Sequence, residues 1–304
     1  MTSPVATVGV YVNAGSRDGA EGAAAVYASA ALAGQAAAVA AVGGQVRAVA
    51  SREGVEFVAT VLPEHVPAAA AALAAMVGAA PSEAAVAAAK DAVQAEIAGA
   101  FEDPGSALLD HLHDAAYLDQ AMGAPTTGSK EAIEALSGAD VAAFVSSHVS
   151  APNVVVSAAG AVEHEAVAKA FDGSAVAKLA ESTDAMDHYD APATFIGSDK
   201  RIRYDSFPMA RVAFAFETVP AHSEHVVPLM LLEAVVGAFD ISSGVNGKNL
   251  ASKTAIDLCE EEMVHSYAPI SAHYKDSGFF GMTFTATDVN LEGGAWNILE
   301  NLMR

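Results

Sequence analysis

The stretch GAAAVYASAALAGQAAAVAAVGG, from Gly22 to Gly44, decides between a membrane protein and a globular fold for this chain. It is mostly alanine, with a single leucine and no charged residue. Its length suits a membrane span of about 20 residues, but stable spans are rich in Leu, Ile, Phe and Val. Since Ala is the strongest helix former and Gly among the weakest, we predict a helix that starts near Gly22, breaks near Gly34 and ends by Gly43. We expect this helix to pack against protein, outside any bilayer.

Composition narrows the class of protein. The chain has 304 residues, 53% of them hydrophobic, which suggests roughly two globular domains with ample core. Its 15 Lys and Arg stand against 37 Asp and Glu, and a net charge of -22 repels nucleic acid and anionic lipid surfaces. The single cysteine, Cys259, excludes an intrachain disulfide and a cysteine-based zinc site. No basic segment of the kind that begins a secretory signal opens the chain, so we expect no such signal.

The order of predicted elements repeats along the chain. A strand in ATVGVYVNAG precedes the alanine-rich helix, a strand pair and further helices, and the same order restarts at RVAFAFETV. We therefore predict an α+β fold of two related domains, each a mixed or antiparallel sheet covered by helices. The expected boundaries are residues 1–180 for the first domain, 181–194 for a linker and 195–304 for an incomplete second copy. A further chain is expected to complete this second copy, unless the sequence is part of a longer polypeptide.

Two histidine pairs are candidate metal ligands. In DHLHD, His111 and His113 lie two residues apart, so on a helix they point to different faces. In HSEH, His222 and His225 lie three apart, but no third ligand accompanies them. We expect packing, capping or surface roles for both pairs.

A glycine-rich segment, SSGVNGKNLAS, is the remaining candidate. Gly247 precedes Lys248 as in a phosphate loop, but the spacing to Gly244 is too short and Asn249 stands where Ser or Thr is needed. We expect a flexible interface loop there.

Several strings resemble the mitochondrial processing-peptidase and core-protein family, pitrilysin-like relatives of zinc peptidases with an inverted His-x-x-Glu-His motif. The resemblance covers nearly the whole chain, because the strings occur in the family's order. They are VGVYVNAGSRDGAEG, VGGQVRAVASRE, LHDAAY, APNVVVSAAGAVEHE, VVGAFDISSGVNGKNLAS and SAHYKDSGFFG.

The resemblance implies that the zinc motif has been lost. It places the motif's two histidines at Ala25 and Ser29 and its general base at Ala28. The family's remote carboxylate ligand falls on Glu96, provided that the loop between Gly34 and Gly43 is shorter here. One carboxylate alone cannot hold a catalytic zinc ion. We therefore expect a degenerate peptidase homologue with no catalytic residue, no bound metal and no cofactor.

The resemblance also implies a role. We expect a scaffold core subunit of respiratory complex III, peripheral on the matrix side of the mitochondrial inner membrane and without a membrane span of its own. Its expected partners are the other core protein and the remaining complex III subunits. The alternative is a non-catalytic, presequence-binding subunit of the processing peptidase, and an active metallopeptidase with another site is disfavoured. First and second core protein types stay open.

Overall fold

A computed structural model describes residues 4–78, 80–100, 104–179, 192–203, 205, 207–243, 252–260 and 263–303. The described chain divides into two compact units by its internal contacts. Unit 1 comprises Met1–Glu102 and Gln120–Asp187, and unit 2 comprises Asp103–Asp119 and His188–Arg304.

Unit 1 is an antiparallel sheet with helices. The sheet has the strand order β2-β3-β1-β4, in which β1 pairs with β3 on one edge and with β4 on the other. Val8, for example, lies opposite Ala59 and Ala158. The elements are β1 (Ala6–Val12), α1 (Ala23–Ala40), β2 (Gln45–Ala50), β3 (Val55–Val61), α2 (Val66–Val77), α3 (Glu83–Ala100), α5 (Lys130–Ala135), α6 (Gly138–His148), β4 (Val154–Gly160) and α7 (His164–Phe171).

Unit 2 begins its sheet with the same order of strand, helix, strand pair and helix. Its strands run β5-β8-β7-β6, again with antiparallel pairing. The elements are α4 (Pro104–Ala116), β5 (Ala210–Thr218), α8 (Val226–Val236), β6 (Phe239–Asp240), α9 (Lys253–Glu260), β7 (Ser266–His273), β8 (Gly278–Ala286) and α10 (Leu291–Met303). The expected fold of two antiparallel sheets covered by helices is confirmed, with β6 and α9 added between α8 and β7.

Helix α1 differs from its prediction at one point. It runs unbroken through Gly34 to Ala40, so the expected break and the loop after it are absent. One glycine costs about 1 kcal/mol in a helix, which a run of alanines on both sides tolerates. Helix α1 is also long and apolar enough to cross a membrane by length and composition, and half of it is buried inside the protein. Apart from Val39, the buried residues of α1 lie in its N-terminal half, between Ala23 and Ala30.

The expected first domain, residues 1–180, differs from unit 1 because α4 packs with unit 2. Helix α4 lies against β5. Its His113 Nε2 is 2.6 Å from the Tyr274 hydroxyl oxygen, and the Tyr117 hydroxyl is 3.1 Å from that of Ser277. A helix joins the sheet that its buried face fits, whatever its place along the chain. The expected linker, 181–194, lies largely outside the described residues.

Candidate functional site

The N-terminal end of α1 is held by the segment that leads into α5. Gly22 adopts φ +81°, and an added Cβ would clash with Ile133 Cδ1, so no other residue fits there without strain. The Glu21 carboxylate accepts a hydrogen bond of 2.6 Å from the Ser129 backbone N–H. These contacts set where the first turns of α1, and hence the expected motif positions, lie.

The three expected motif positions lie in the first two turns of α1. Ala25 and Ala28 are buried and Ser29 is half-buried. Helix α3 packs against α1, but Glu96 on α3 is exposed to solvent. Among the described residues, no group of three or more His, Cys, Asp or Glu side chains is placed to hold a metal ion.

These side chains do not fit a catalytic zinc ion. Such a site needs three protein ligands and a bound water, and a methyl group offers no lone pair. An alanine at the base position cannot accept a proton from that water. The polar side chains at the expected positions are the Ser29 hydroxyl and, on the neighbouring helix α3, the exposed Glu96 carboxylate.

Hydrogen bonds, an ion pair and close backbone packing join the loop after β1 to the β2–β3 turn. The loop after β1 hydrogen-bonds to the β2–β3 turn, with Ser16 N–H to Ser51 O at 2.9 Å. The Arg17 guanidinium and the Glu53 carboxylate form an ion pair of 2.8 Å with side chains only 5% and 17% exposed. Gly15 lies so close to this turn that an added Cβ would lie 2.5 Å from the Arg52 carbonyl oxygen. Two of the strings that carry the family resemblance therefore meet in space.

Arg52 extends this frame to the loop between α4 and α5. It is buried, and its Nε donates to the Met122 carbonyl at 3.0 Å while its second terminal nitrogen contacts the Ala124 carbonyl at 3.4 Å. Hydrogen bonds from a charged group are stronger than neutral ones, so this arginine ties three loops together. Sequence reasoning did not single out Arg17, Arg52 or Glu53, although charged residues are rare in this part of the chain.

Tyr27 lies between the expected motif positions, and its side chain packs into the core. It is fully buried, with edge contacts to Phe57 and a tilted contact to Phe144 at ring-centroid distances of 5.7 and 6.0 Å. Its hydroxyl lies 3.4 Å from the carbonyls of Met76 and Val77 at the end of α2. Burial raises the pKa of this phenol well above its usual value, so it stays protonated.

The DHLHD histidines lie on different faces of α4, as predicted. His113 is buried, and its Nδ1 lies 2.7 Å from the Leu109 carbonyl. A carbonyl only accepts, so Nδ1 carries the proton and Nε2 accepts from the Tyr274 hydroxyl. His111 is half-buried, and burial together with the charge of Lys200 lowers its pKa.

The remaining candidates show no metal or phosphate geometry within the described residues. His222 and His225 are exposed in the turn before α8, and His225 Nε2 is 4.0 Å from Glu224. Ser242 bonds to Asp240 at the start of the glycine-rich segment. Residues 244–251 of that segment lie outside the described residues, so the expected flexible interface loop stays a prediction.

Two family models match the chain. The model described as insulinase, peptidase family M16, matches residues 1–130. The model described as the peptidase M16 inactive domain matches residues 135–304, which is more than half of the chain.

The chain is also similar in sequence to curated relatives and in fold to a solved structure. The chain is 32% identical over 178 residues to the human mitochondrial-processing peptidase subunit beta, which covers 58% of this chain and 35% of that protein. It is 33% identical over 175 residues to the same subunit of Blastocladiella emersonii, covering 58% and 37%. The chain spans roughly a third of the length of these relatives. A solved structure of complex III2 from Candida albicans with Inz-5 bound has a chain of the same fold, with TM-score 0.84, 23% identity and coverage of 98% of this chain and 71% of that one.

Proposed function

Because the chain belongs to peptidase family M16, we propose that it is a non-catalytic core subunit of mitochondrial respiratory complex III, ubiquinol:cytochrome c reductase. It would sit peripherally on the matrix side of the inner membrane. Its partners would be the other core protein and the remaining complex III subunits. Whether it is of the first or second core type stays open.

One observation carries this proposal. The loops and helices around the motif face keep a closely bonded frame, with Arg17 paired to Glu53 and Arg52 bonded across loops. The positions that would bind zinc and move the proton hold Ala25, Ala28 and Ser29. A retained frame without its reactive groups is what a structural role requires, since folding and assembly need the frame alone. The shared fold with a chain of a complex III structure supports the same role.

A second candidate is a non-catalytic, presequence-binding subunit of the processing peptidase. The identity of 31–33% to beta subunits of that enzyme favours it. The net charge of -22 would also attract basic presequences, although acidic surfaces are common for solubility alone.

Affinity purification separates the two candidates. The chain would be tagged in its own organism and isolated in mild detergent, and a reduced-minus-oxidised absorption spectrum recorded. We expect b- and c-type haem at a fixed ratio to the tagged chain. Cleavage of precursor peptides by haem-free material would instead favour the processing-peptidase role.

A metal titration tests the loss of catalysis. We expect no stoichiometric zinc in the purified chain, and no peptidase activity after Ala25→His, Ala28→Glu and Ser29→His are combined, because Glu96 is exposed and the partners that orient such ligands have to be present as well. Tightly bound zinc that is lost in Glu96→Ala would overturn the non-catalytic assignment. The matched control is Glu83→Ala at the exposed start of the same helix.

A further inference from the structure

A row of polar side chains crosses the sheet of unit 2 near the start of β5. Arg211 on β5 lies opposite Thr285 on β8. Thr285 also lies opposite Ser266 on β7, and Ser266 lies opposite Asp240 on β6. Side chains of directly paired residues point to the same face of a sheet. The four strands therefore present one polar row on one face.

The corresponding row of unit 1 pairs its hydroxyl groups with each other. Thr7, the second residue of β1, lies opposite Thr60 on β3, and their hydroxyl oxygens are 3.3 Å apart. In unit 2 the second residue of β5 is Arg211 instead. The hydroxyl of Thr285 has no hydrogen-bond partner among the described residues, although this residue is only 8% exposed. It is therefore available to a ligand that enters on this face.

A cavity of about 630 Å³ lies over this polar row. Helix α4 covers the cavity with Leu108 and Leu109, and the row lines its floor. Beyond the row, the floor continues along β7 with Ala268 and Ile270. We call this cavity the α4 pocket, and both its floor and its cover belong to unit 2. Its volume and its combination of apolar walls with a few polar groups are typical of small-molecule sites.

The two charges of the row lie at its opposite ends. Three strand spacings separate Arg211 from Asp240, a distance of about 14 Å. The Ser242 hydroxyl and backbone N–H donate to the Asp240 carboxylate and lower its pKa, so it stays ionised at neutral pH. Among the described residues, no carboxylate forms an ion pair with Arg211. An anionic group is therefore attracted to the Arg211 end of the α4 pocket and repelled from the Asp240 end.

We propose that the α4 pocket binds a small organic carboxylate with an apolar chain. The carboxylate accepts hydrogen bonds from the Arg211 guanidinium and from the hydroxyls of Thr285 and Ser266, because a planar guanidinium matches both carboxylate oxygens. The apolar chain lies over Ala268 and Ile270, beneath α4. A single cation balances a monoanion, which favours a carboxylate over a doubly charged phosphate. The proposal is independent of the complex III role.

The probe is octanoate, because Ser266 and Ile270 are four residues apart on β7, about 13 Å, which suits an extended chain of this length. Octanoate is titrated into the 304-residue chain at pH 7.5 by isothermal titration calorimetry. We expect saturable binding with a dissociation constant at or below about 1 mM, which is ordinary for so small a ligand. Octanamide, which has the same chain without the charge, should bind about tenfold more weakly or not at all. A weaker octanoate affinity, or equal affinity for octanoate and octanamide, would overturn the proposal.

Two matched pairs of variants locate the carboxylate. Arg211→Gln should weaken octanoate by about tenfold or more, and Arg203→Gln should leave it unchanged, because Arg203 is an exposed arginine that does not line the α4 pocket. Thr285→Val should weaken octanoate by about threefold or more, and Thr60→Val, in the corresponding row of unit 1, should not. Unchanged affinity in Arg211→Gln would place octanoate elsewhere and overturn the proposal. If Thr285→Val does not fold, the two arginine variants still decide, because both alter exposed side chains.

Two further measurements test the position of the chain and the kind of anion. Ala268 and Ala272 are both half-buried on β7 and point to the same face, but only Ala268 lines the α4 pocket. Ala268→Trp should weaken octanoate by about tenfold or more and Ala272→Trp should leave it unchanged, with both variants folded by circular dichroism. Unchanged affinity in a folded Ala268→Trp would contradict the placement along β7. Tighter binding of octyl phosphate than of octanoate would overturn the choice of a carboxylate.

Discussion

Helix α1 and helix α8 each follow the first strand of their unit, and their surroundings differ. Helix α1 packs against α2, α3, α6, β2 and β3, and its Tyr27 is fully buried. Helix α8 packs mainly against β7, and Val227, Leu231 and Val235 are 64%, 63% and 73% exposed. Both helices are strongly apolar, so apolarity alone does not determine burial. What differs is the set of neighbours, because the described part of unit 2 has no counterparts of α3 and α6 over α8.

The largest expected contrast comes from truncating a large side chain in each helix. Tyr27→Ala should lower the free energy of unfolding by about 3–5 kcal/mol, because it leaves a cavity among Phe57 and Phe144. Leu231→Ala should stay within about 0.5 kcal/mol, because its side chain is mostly in solvent. Urea unfolding followed by far-UV circular dichroism measures both. Similar losses would show that α8 is enclosed in solution.

The next contrast lies within α1 itself. Ala28→Phe should destabilise the fold by about 1–3 kcal/mol, because a ring has no space at a position that is 4% exposed. Ala38→Phe, on the exposed C-terminal half of the same helix, serves as the control and should change stability little. Thermal unfolding is measured for both variants. An unchanged melting temperature in Ala28→Phe would contradict the burial of this position.

The histidines of unit 2 offer a similar comparison. His113→Leu removes the hydrogen bonds to Leu109 and Tyr274 and should cost about 1–3 kcal/mol. His222→Leu alters an exposed turn and should be neutral. Hydrogen exchange of amides in β7 and β8 reports the effect locally. Unchanged protection in His113→Leu would mean that α4 is held to the sheet without this contact.

The smallest effect concerns pH. Burial, with the charge of Lys200, lowers the pKa of His111 below its unfolded value of 6.5, while Asp110 and Asp114 oppose the shift. The folded state therefore binds this proton less readily than the unfolded chain. The contribution is fully present above about pH 6.5 and is lost as the pH falls below it. His111→Gln should flatten the fall in stability between pH 7.5 and 5.5, measured by urea unfolding. An identical slope in both proteins would contradict it.

Much of the fold was predictable because its signals are local. Alternation in ATVGVYV and VEFVATV indicates strands, and Ser82 before α3 indicates a helix start, where its hydroxyl accepts from the Ala85 N–H at 3.3 Å. Shorter elements were missed. The two-residue strand β6 and the eight-residue helix α9 carry too little periodic pattern, and α5 covers only six residues.

For the candidate site, the sequence predicts the residue types but not their exposure or contacts. That Ala25, Ala28 and Ser29 cannot bind zinc follows from residue types once the family motif is aligned on them. The exposure of Glu96 and the ion pair between Arg17 and Glu53 do not follow, because 36 residues separate the paired side chains. Contacts of this kind depend on how strands and turns pack, which periodicity along the chain does not encode.

The sequence by itself determined the order of the longer strands and helices and the repeat of that order, since both depend on residue type and short spacing. Only the tertiary structure decided that α4 packs with unit 2, and that the first half of α1 is buried while much of α8 is exposed. The physical reason is that secondary structure follows local backbone preferences, whereas burial and strand pairing require partners that are distant along the chain.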